Sequence, residues 1–319
     1  MKAAIVHEQG GIPLYGEFRD PEPAAGEVLV RVLAVAVENV DRAVVAGTHF
    51  TAGPFLASLP AIPCFDGIGA LPDGTVVGFG GLRPPFGALA EYVAVPATAT
   101  RPIPEGLDPA TASMLSSAIT AMTMRTAGGL EAGETVLVQG ATGVSGRLAV
   151  QIARLLGAGR VVATGRNEAA LASLAAAGAD SVINTAVSDD ELVAAYRREV
   201  GGGFDVVVDF LWGRPTELLC RALTPDSFVL AKPTRLVQLG ESAGASMRLE
   251  ANAVRTSGLE IYGGAKNITT GMEQAYQQVV EWIRGGDLVM DLTRMPLSQI
   301  ETAWQRTDLR GSRLVIVPD

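Results

Sequence analysis

The chain has 319 residues, 48% apolar and 18% charged, with 25 basic side chains against 34 acidic ones and a net charge of −9. That length allows two domains with ample core, and an acidic balance without a basic cluster argues against nucleic acid or an anionic membrane surface as partner. Two distant cysteines, Cys64 and Cys220, make no disulfide framework, and no uninterrupted apolar run reaches membrane-spanning length, so a soluble cytoplasmic protein is expected.

The first hundred residues read as short strands and turns. Pro21–Gly26 is a turn-rich connection before a strand at Glu27–Val37, and further strands are expected at Thr75–Phe79 and Ala88–Val95. The texture changes at Asp108-Pro109, a helix start, and a second helical stretch follows near Thr120–Thr126. Up to this point a compact β-rich domain is the expectation.

From residue 135 strands and helices alternate, as in a parallel, doubly wound sheet. The stretch Val136-Leu137-Val138-Gln139-Gly140-Ala141-Thr142-Gly143-Val144-Ser145-Gly146 is a strand running into three glycines spaced G-x-x-G-x-x-G. An amphipathic helix carrying Leu148, Ala149, Ile152, Leu155 and Leu156 on one face follows, and Arg160–Thr164 is the next strand. This is a dinucleotide site in its expected context. The glycines admit a tight turn and close backbone approach, and the helix N-terminus offers free N–H groups to a pyrophosphate. Gly140, Ala141, Thr142, Gly143, Val144 and Gly146 are therefore the cofactor-binding candidates at the turn. No Lys follows the last glycine, which excludes a nucleotide-triphosphate phosphate loop.

The second strand ends in Thr164-Gly165-Arg166-Asn167. An NAD enzyme places a carboxylate about 20 residues past the turn to bond the ribose 2′-hydroxyl. Here Gly165 leaves room, Arg166 offers a planar cation suited to a 2′-phosphate, and Asn167 adjoins it, which selects NADPH. Further on, Ser188-Asp189-Asp190-Glu191 is a capping box and Phe204–Phe210 a buried strand. Arg235–Leu239 and Leu259–Tyr262 complete six strands, and Leu239 and Gly240, at the carboxyl edge where such sheets bind ligands, are further cofactor-binding candidates.

Past residue 263, Thr270-Gly271-Met272-Glu273 and Ser298-Gln299-Ile300-Glu301 read as two more capping boxes, and Leu314–Val317 as a closing strand that pairs back with the N-terminal domain. The expected division is residues 1–122, then a nucleotide domain at 123–262, then a return segment at 263–319. The last strand of the sheet, Leu259–Tyr262, would present a bare edge, and a homodimer through it is expected.

This order of parts resembles the medium-chain dehydrogenase/reductase superfamily, in its zinc-independent quinone oxidoreductase and enoyl reductase branch. The resemblance rests on Asn39-Val40-Asp41, Pro63-Cys64-Phe65-Asp66-Gly67, Gly87–Val93, Ile119-Thr120-Ala121 and the glycine turn, and covers nearly the whole chain. It implies a six-stranded Rossmann sheet inserted into a β-rich, GroES-like substrate domain. It implies NADPH as cofactor and a small-molecule substrate, a quinone or the C=C bond of an α,β-unsaturated carbonyl, as hydride acceptor. An enoyl-thioester reductase and a catalytically silent NADPH-binding protein are the alternatives. The sequence also departs from the pattern. Only Leu71–Thr75 stands where relatives have a longer connection, and Phe228–Thr234 are extra residues before the fifth strand.

The same resemblance bears on metal. Zinc-dependent relatives carry a cysteine where this chain has Glu38, and their Gly-His-Glu is Cys64-Phe65-Asp66, so the imidazole ligand is a phenyl ring; their third cysteine falls near Ser116. Catalytic zinc needs three Cys, His or acidic ligands, so no metal is expected. A chance cluster of Glu38, His49, Cys64 and Asp66 is the alternative. Without a Lewis acid, an electron-poor acceptor whose oxygen gains charge can be served by hydrogen-bond donors alone. His49 takes the position of the family's tyrosine after Gly47 and is the candidate donor. Asn39 borders the nicotinamide in relatives, Thr120 resembles the threonine beside its ribose, and Tyr92 belongs to the pocket wall. The plain readings are a loop histidine for His49 and a helix threonine bonded to its own backbone for Thr120, while Asp41 could fix the turn by bonding backbone amides.

Overall fold

The computed structural model describes residues 1–201, 203–227, 231–309 and 311–319, and the side chains among them except 268 and 269. Of the extra residues before the fifth strand, 228–230 lie outside the described residues. The chain divides into two compact units: Met1–Met114 with Met290–Asp319, and Leu115–Val289 between them in sequence. The nucleotide unit is thus an insertion in the β-rich one.

The inserted unit is built on a six-stranded parallel sheet. Its strands are Thr135–Gln139, Arg160–Gly165, Ser181–Asn184, Val206–Asp209, Thr234–Gln238 and Leu259–Gly263. They stand in the order third, second, first, fourth, fifth, sixth. This is the doubly wound arrangement whose strand order reverses between the first and fourth strands, leaving a crevice at their carboxyl ends. The central strands are buried on both faces, which is why Val136–Val138 and Val206–Val208 read as unbroken apolar runs. The capping box at Ser188 forms as expected: Glu191 N donates to Ser188 Oγ at 3.4 Å and Ser188 N to Glu191 Oε2 at 2.9 Å.

In the β-rich unit the long strand Glu27–Ala36 is the axis. It pairs antiparallel with Gly67–Ala70, Tyr92–Pro96 and the closing strand Arg313–Val317. The return of the C-terminal strand to the N-terminal sheet is therefore present. Its core gathers Val30, Val32, Val93, Val95, Leu314 and Ile316. The strand expected from Ala88 starts only at Tyr92; Ala88 and Ala90 instead bond individually, Ala88 N to Cys64 O and Ala90 by a lone bridge to Ala3.

Two of the expected capping boxes do not form. The helix Ile268–Gly285 begins ahead of Thr270, with Asn267 at its N-cap, so Thr270 and Glu273 lie inside it. Ser298 donates to the Asp319 carboxylate from its Oγ and, at 3.0 Å, from its backbone N, and Glu301 Oε1 accepts from Tyr15 N at 2.8 Å. Both side chains serve tertiary contacts in place of a local cap. The seams also fall elsewhere, at 114/115 and 289/290 rather than 122/123 and 262/263. Helix Ile268–Gly285 packs on helices Leu115–Ala121 and Thr123–Thr126, and Asn267 Nδ2 donates to Thr126 O at 3.1 Å. Those contacts draw both segments into the nucleotide unit.

Candidate functional site

The glycine turn is held by three bonds that need backbone alone or one hydroxyl. Gly140 N donates to Thr164 Oγ at 3.1 Å, Ala141 N to Thr164 O at 2.8 Å, and Gly143 N to Gly140 O at 3.2 Å. Gly140 lies in the left-handed region at φ 82°, which only glycine enters without strain. Gly146 is required for a different reason. A Cβ there would stand 2.2 Å from Gly140 O and 2.6 Å from Ala141 Cα, so helix and turn could not pack. Gly143 caps helix Val144–Leu155 without any side-chain bond, leaving the first-turn amides of Val144, Ser145 and Gly146 to a ligand.

At the end of the second strand the sequence reading needs a correction. A Cβ on Gly165 would meet Thr142 Cγ2 at 2.3 Å and Leu171 Cδ2 at 3.1 Å. The residue is glycine so that Thr142 can cross it, and the room it leaves is filled by the turn. Arg166 is exposed and makes no hydrogen bond or ion pair among the described residues. Asn167 caps helix Glu168–Ala172, its Oδ1 accepting from Ala170 N at 3.0 Å. Leu239 N and Gly240 N both donate to Asp209 O, at 2.8 and 3.2 Å, which ties the fifth-strand end to the fourth.

Two features here were not read from the sequence. Arg147, one residue past the last glycine, donates from Nη2 to Ser173 Oγ at 2.8 Å, while its buried Nε has no partner among the described residues. A cation directly after the glycines was the available signal. The second is a buried polar chain at the carboxyl end of the sheet. Tyr196 OH donates to Gln139 Oε1 at 2.7 Å, Gln139 Nε2 to Thr216 Oγ at 3.1 Å, and Thr216 Oγ to Asp209 Oδ2 at 2.6 Å. Asp209 Oδ1 accepts from Leu211 N and Trp212 N at 2.8 and 3.0 Å. Burial raises the Asp209 carboxyl, against the lowering effect of these donors. The network fixes the loop after the fourth strand, including Trp212 at φ 54°. No local pattern announces it.

Thr120 stands on helix Leu115–Ala121 and donates its hydroxyl to Ser116 O at 2.9 Å, the backbone bond of the plain reading. It also lines a cavity of about 170 Å³ with Met122, Leu239, Gly264, Met272 and Ala275. The structure thus brings Thr120 and Leu239 together.

In the β-rich unit, helix Asn39–Ala46 begins with exposed Asn39 and ends at Gly47, in the left-handed region at φ 77°. His49 follows, half-buried, its ring tilted on Phe50 with centroids 4.5 Å apart. Thr51 Oγ lies 2.8 Å from His49 Nδ1, and Thr51 N donates to the same nitrogen at 3.4 Å. The Thr51 N–H makes Nδ1 an acceptor, which in the neutral ring leaves the proton on Nε2. Nε2 has no hydrogen-bond partner among the described residues, so it can donate to a ligand. Tyr92, 38% exposed, opens its strand opposite Arg31.

Asp41 fixes the turn, its Oδ2 accepting from Glu38 N at 2.7 Å. It belongs to a carboxyl cluster with Glu38 and Asp66, next to the Cys64 thiol. Burial foremost, then Glu38 and Asp66, raise Asp41 to about 8; burial and Glu38 raise Asp66 to about 7, against Arg313. Arg313 Nη2 pairs with Glu38 at 3.1 Å. Of the alternative cluster of Glu38, His49, Cys64 and Asp66, His49 bonds to Thr51. Among the described residues no three His, Cys, Asp or Glu side chains converge to hold a metal ion. Cys64 sits at φ 68°, where the resemblance places a glycine.

Comparison with known proteins bears on all of this. The family profile described as zinc-binding dehydrogenase matches residues 145–231, within the nucleotide unit. A protein of Emericella nidulans named probable NADPH-dependent quinone reductase is 27% identical over 368 residues, covering 100% of both chains. The solved quinone oxidoreductase of Thermus thermophilus, determined also as its complex with NADPH, is 28% identical with a TM-score of 0.78, over 99% of this chain and 100% of that one. This chain belongs to the medium-chain dehydrogenase/reductase superfamily. Within the superfamily it falls in the quinone oxidoreductase branch, and it is an oxidoreductase. Prostaglandin reductase-3 of Bos taurus, 31% identical over 238 residues, matches 70% of this chain and 58% of its own length. The profile's name carries no ligand to this superfamily member: the matched segment lies outside the unit that holds Glu38, Cys64 and Asp66.

Proposed function

We propose that this protein reduces a quinone, or the C=C bond of an α,β-unsaturated carbonyl, with NADPH. The observation that carries the reading is the glycine turn with its uncapped helix amides, followed at the next strand end by a cation without a partner among the described residues. The chain's residues fit the cofactor: Gly146 keeps the cradle open to backbone approach, and the buried Arg147 Nε adds a donor without a partner among the described residues near the helix start. When bound, NADPH supplies the hydride. The amides of Val144, Ser145 and Gly146 hold the pyrophosphate, and Arg166 pairs with the 2′-phosphate. His49 Nε2–H donates to the acceptor's carbonyl oxygen, where charge develops, so that it lowers the barrier more than it tightens ground-state binding. Asn39 and Tyr92 are positioning candidates for the same acceptor, and Thr120, whose oxygen is left to accept, for the nicotinamide end.

Stopped-flow oxidation of NADPH against a set of quinones and enones tests the reaction; no turnover with any acceptor would refute it. His49→Ala should lower kcat on an enone at least about tenfold, the low side of general-acid contributions, with NADPH affinity unchanged. Wild-type turnover in that variant would leave His49 a loop residue. Arg166→Ala should weaken NADPH by roughly ten- to a hundredfold, as expected for a charged hydrogen bond, and leave NADH binding as it was. Equal loss for both nucleotides would remove Arg166 from the 2′-phosphate.

The assembly we propose is a homodimer. The sixth strand pairs on one side only among the described residues, and Ile261 on it is 41% exposed. Sedimentation of the protein as a monomer at micromolar concentration would contradict this.

A further inference from the structure

We propose that Asp209 is a positioning residue for the dinucleotide: at the end of a one-way hydrogen-bonded chain, its carboxylate seats Leu211 on Gly140 and so sets the glycine turn. The inference rests on cofactor binding and not on which acceptor is reduced. Three observations lead there.

The first is direction. Tyr196, Gln139, Thr216 and Asp209 are all fully buried. Along them each donor faces the next acceptor, from phenol through amide and hydroxyl to Asp209 Oδ2. The other oxygen, Oδ1, takes the Leu211 and Trp212 amides. Three donors converging on one carboxyl favour its ionised form. Apolar groups of the same shape could fill this space at nearly equal stability. What the chain adds is one fixed place for its last acceptor.

The second is strain. Trp212 has φ 54° and ψ −161°, a combination that is essentially glycine's. Asp209 Oδ1 holds its amide, and the carbonyls of the same loop are held from the fifth-strand side. Phe210 O accepts from Ser242 Oγ at 2.9 Å, and Leu211 O from Ala243 N at 2.8 Å. Such a conformation persists only where its surroundings over-determine it, so the loop is fixed as a unit.

The third is place. Gln139 and Asp209 end the first and fourth strands, the adjacent pair at which the strand order reverses. Sheets of this kind bind ligands there. A Cβ on Gly140 would meet Leu211 Cδ2 at 2.9 Å and Cγ at 3.3 Å. The leucine therefore covers the face that glycine leaves bare, while the Thr164 hydroxyl takes the Gly140 amide from the second strand. The turn is gripped from both neighbouring strands, and the grip from the fourth leads back to Asp209.

Asp209→Asn keeps the volume and breaks the direction. With its NH₂ toward Thr216, the Thr216 proton loses its acceptor; flipped, the NH₂ faces the Leu211 and Trp212 N–H groups. The variant should bind NADPH and NADH more weakly by the same factor, roughly tenfold or more. Fluorescence titration reads this at a temperature where circular dichroism shows the variant folded. A loss shared by both nucleotides separates this effect from that of Arg166, which is confined to NADPH. A merely structural role would lower the melting temperature and leave the affinity of the folded protein as it was, and that result would overturn the proposal. Thr216→Val removes the donor to Asp209 and should repeat the loss, whereas Thr216→Ser keeps the hydroxyl and should bind as the wild type does. Should the buried variants fail to fold, Leu211→Ala, outside the chain, tests the last link. It should weaken both nucleotides alike, and Leu211→Met, which conserves volume, should recover most of the affinity. Wild-type binding in folded Leu211→Ala, or losses from Asp209→Asn and Leu211→Ala that simply add in the double variant, would show that Asp209 does not act through Leu211. A wild type that binds neither nucleotide would refute the cofactor reading, and the proposal with it.

Discussion

Gly146→Ala is expected to lose NADPH binding by roughly thirtyfold or more and to lower the melting temperature. The added Cβ meets backbone on both sides, Gly140 O at 2.2 Å and Ala141 Cα at 2.6 Å, and backbone cannot swing away as a side chain can. Helix Val144–Leu155 must then retreat from the turn. Overpacking of this kind costs typically about 1–3 kcal/mol, occasionally more, and a loss of about 2 kcal/mol in binding is roughly thirtyfold in Kd. Gly143→Ala is the control. A Cβ there meets only Gly140 O, at 3.5 Å, and φ is −78°, so the fold should be kept. Fluorescence titration with NADPH, beside thermal melts of both variants, reads the outcome. Wild-type affinity in Gly146→Ala would mean that the turn does not hold the pyrophosphate.

The carboxyl cluster of the β-rich unit should make stability fall as pH rises through neutrality. Asp41 and Asp66 are raised from 3.8 to about 8 and about 7, burial being the largest cause for each. An acid whose folded value lies above its unfolded one holds its proton more tightly in the fold. Its contribution is complete below the unfolded value near 4 and is lost as pH climbs through the folded value. The loss therefore runs between about pH 4 and pH 8, with a slope of up to about 1.4 kcal/mol per pH unit for each group still holding its proton in the fold. Chemical denaturation at pH 5.5, 7.0 and 8.5 should show the wild type weakest at 8.5. Asp41→Asn keeps an oxygen to accept from Glu38 N, and Asp66→Asn keeps a neutral side chain, so each should flatten the dependence. A wild type strongest at 8.5, or variants with an unchanged slope, would show that these carboxyls are ionised in the fold.

Some of this protein is determined within short windows of its sequence. The apolar run Val136–Val138, the glycines at 140, 143 and 146 and the helical stripe from Leu148 specify strand, turn and helix by local sterics and periodicity, and they mark the nucleotide edge. Ser188 with Glu191 caps its helix because both partners lie within one turn. The carboxylate-free end of the second strand, with Arg166, is legible in the same way. Tertiary structure decided the rest. Glu301 accepts from Tyr15, 286 residues away, and Ser298 is drawn to Asp319, so two local signals for a cap were overruled by stronger distant partners. Gly165 is small because Thr142 lies across it, and a contact between strand and turn cannot be read from either alone. The chain from Tyr196 through Gln139 and Thr216 to Asp209 joins four elements whose polar residues become partners only once the sheet has excluded water. The cavity beside Thr120 belongs to the same class. Its walls come from helices and strand ends that run in sequence from Ile119 to Ala275, nearly the whole length of the inserted unit. Short-range propensity fixes which elements exist, whereas a void and a buried polar network arise from how distant elements pack, and no local window of sequence contains them.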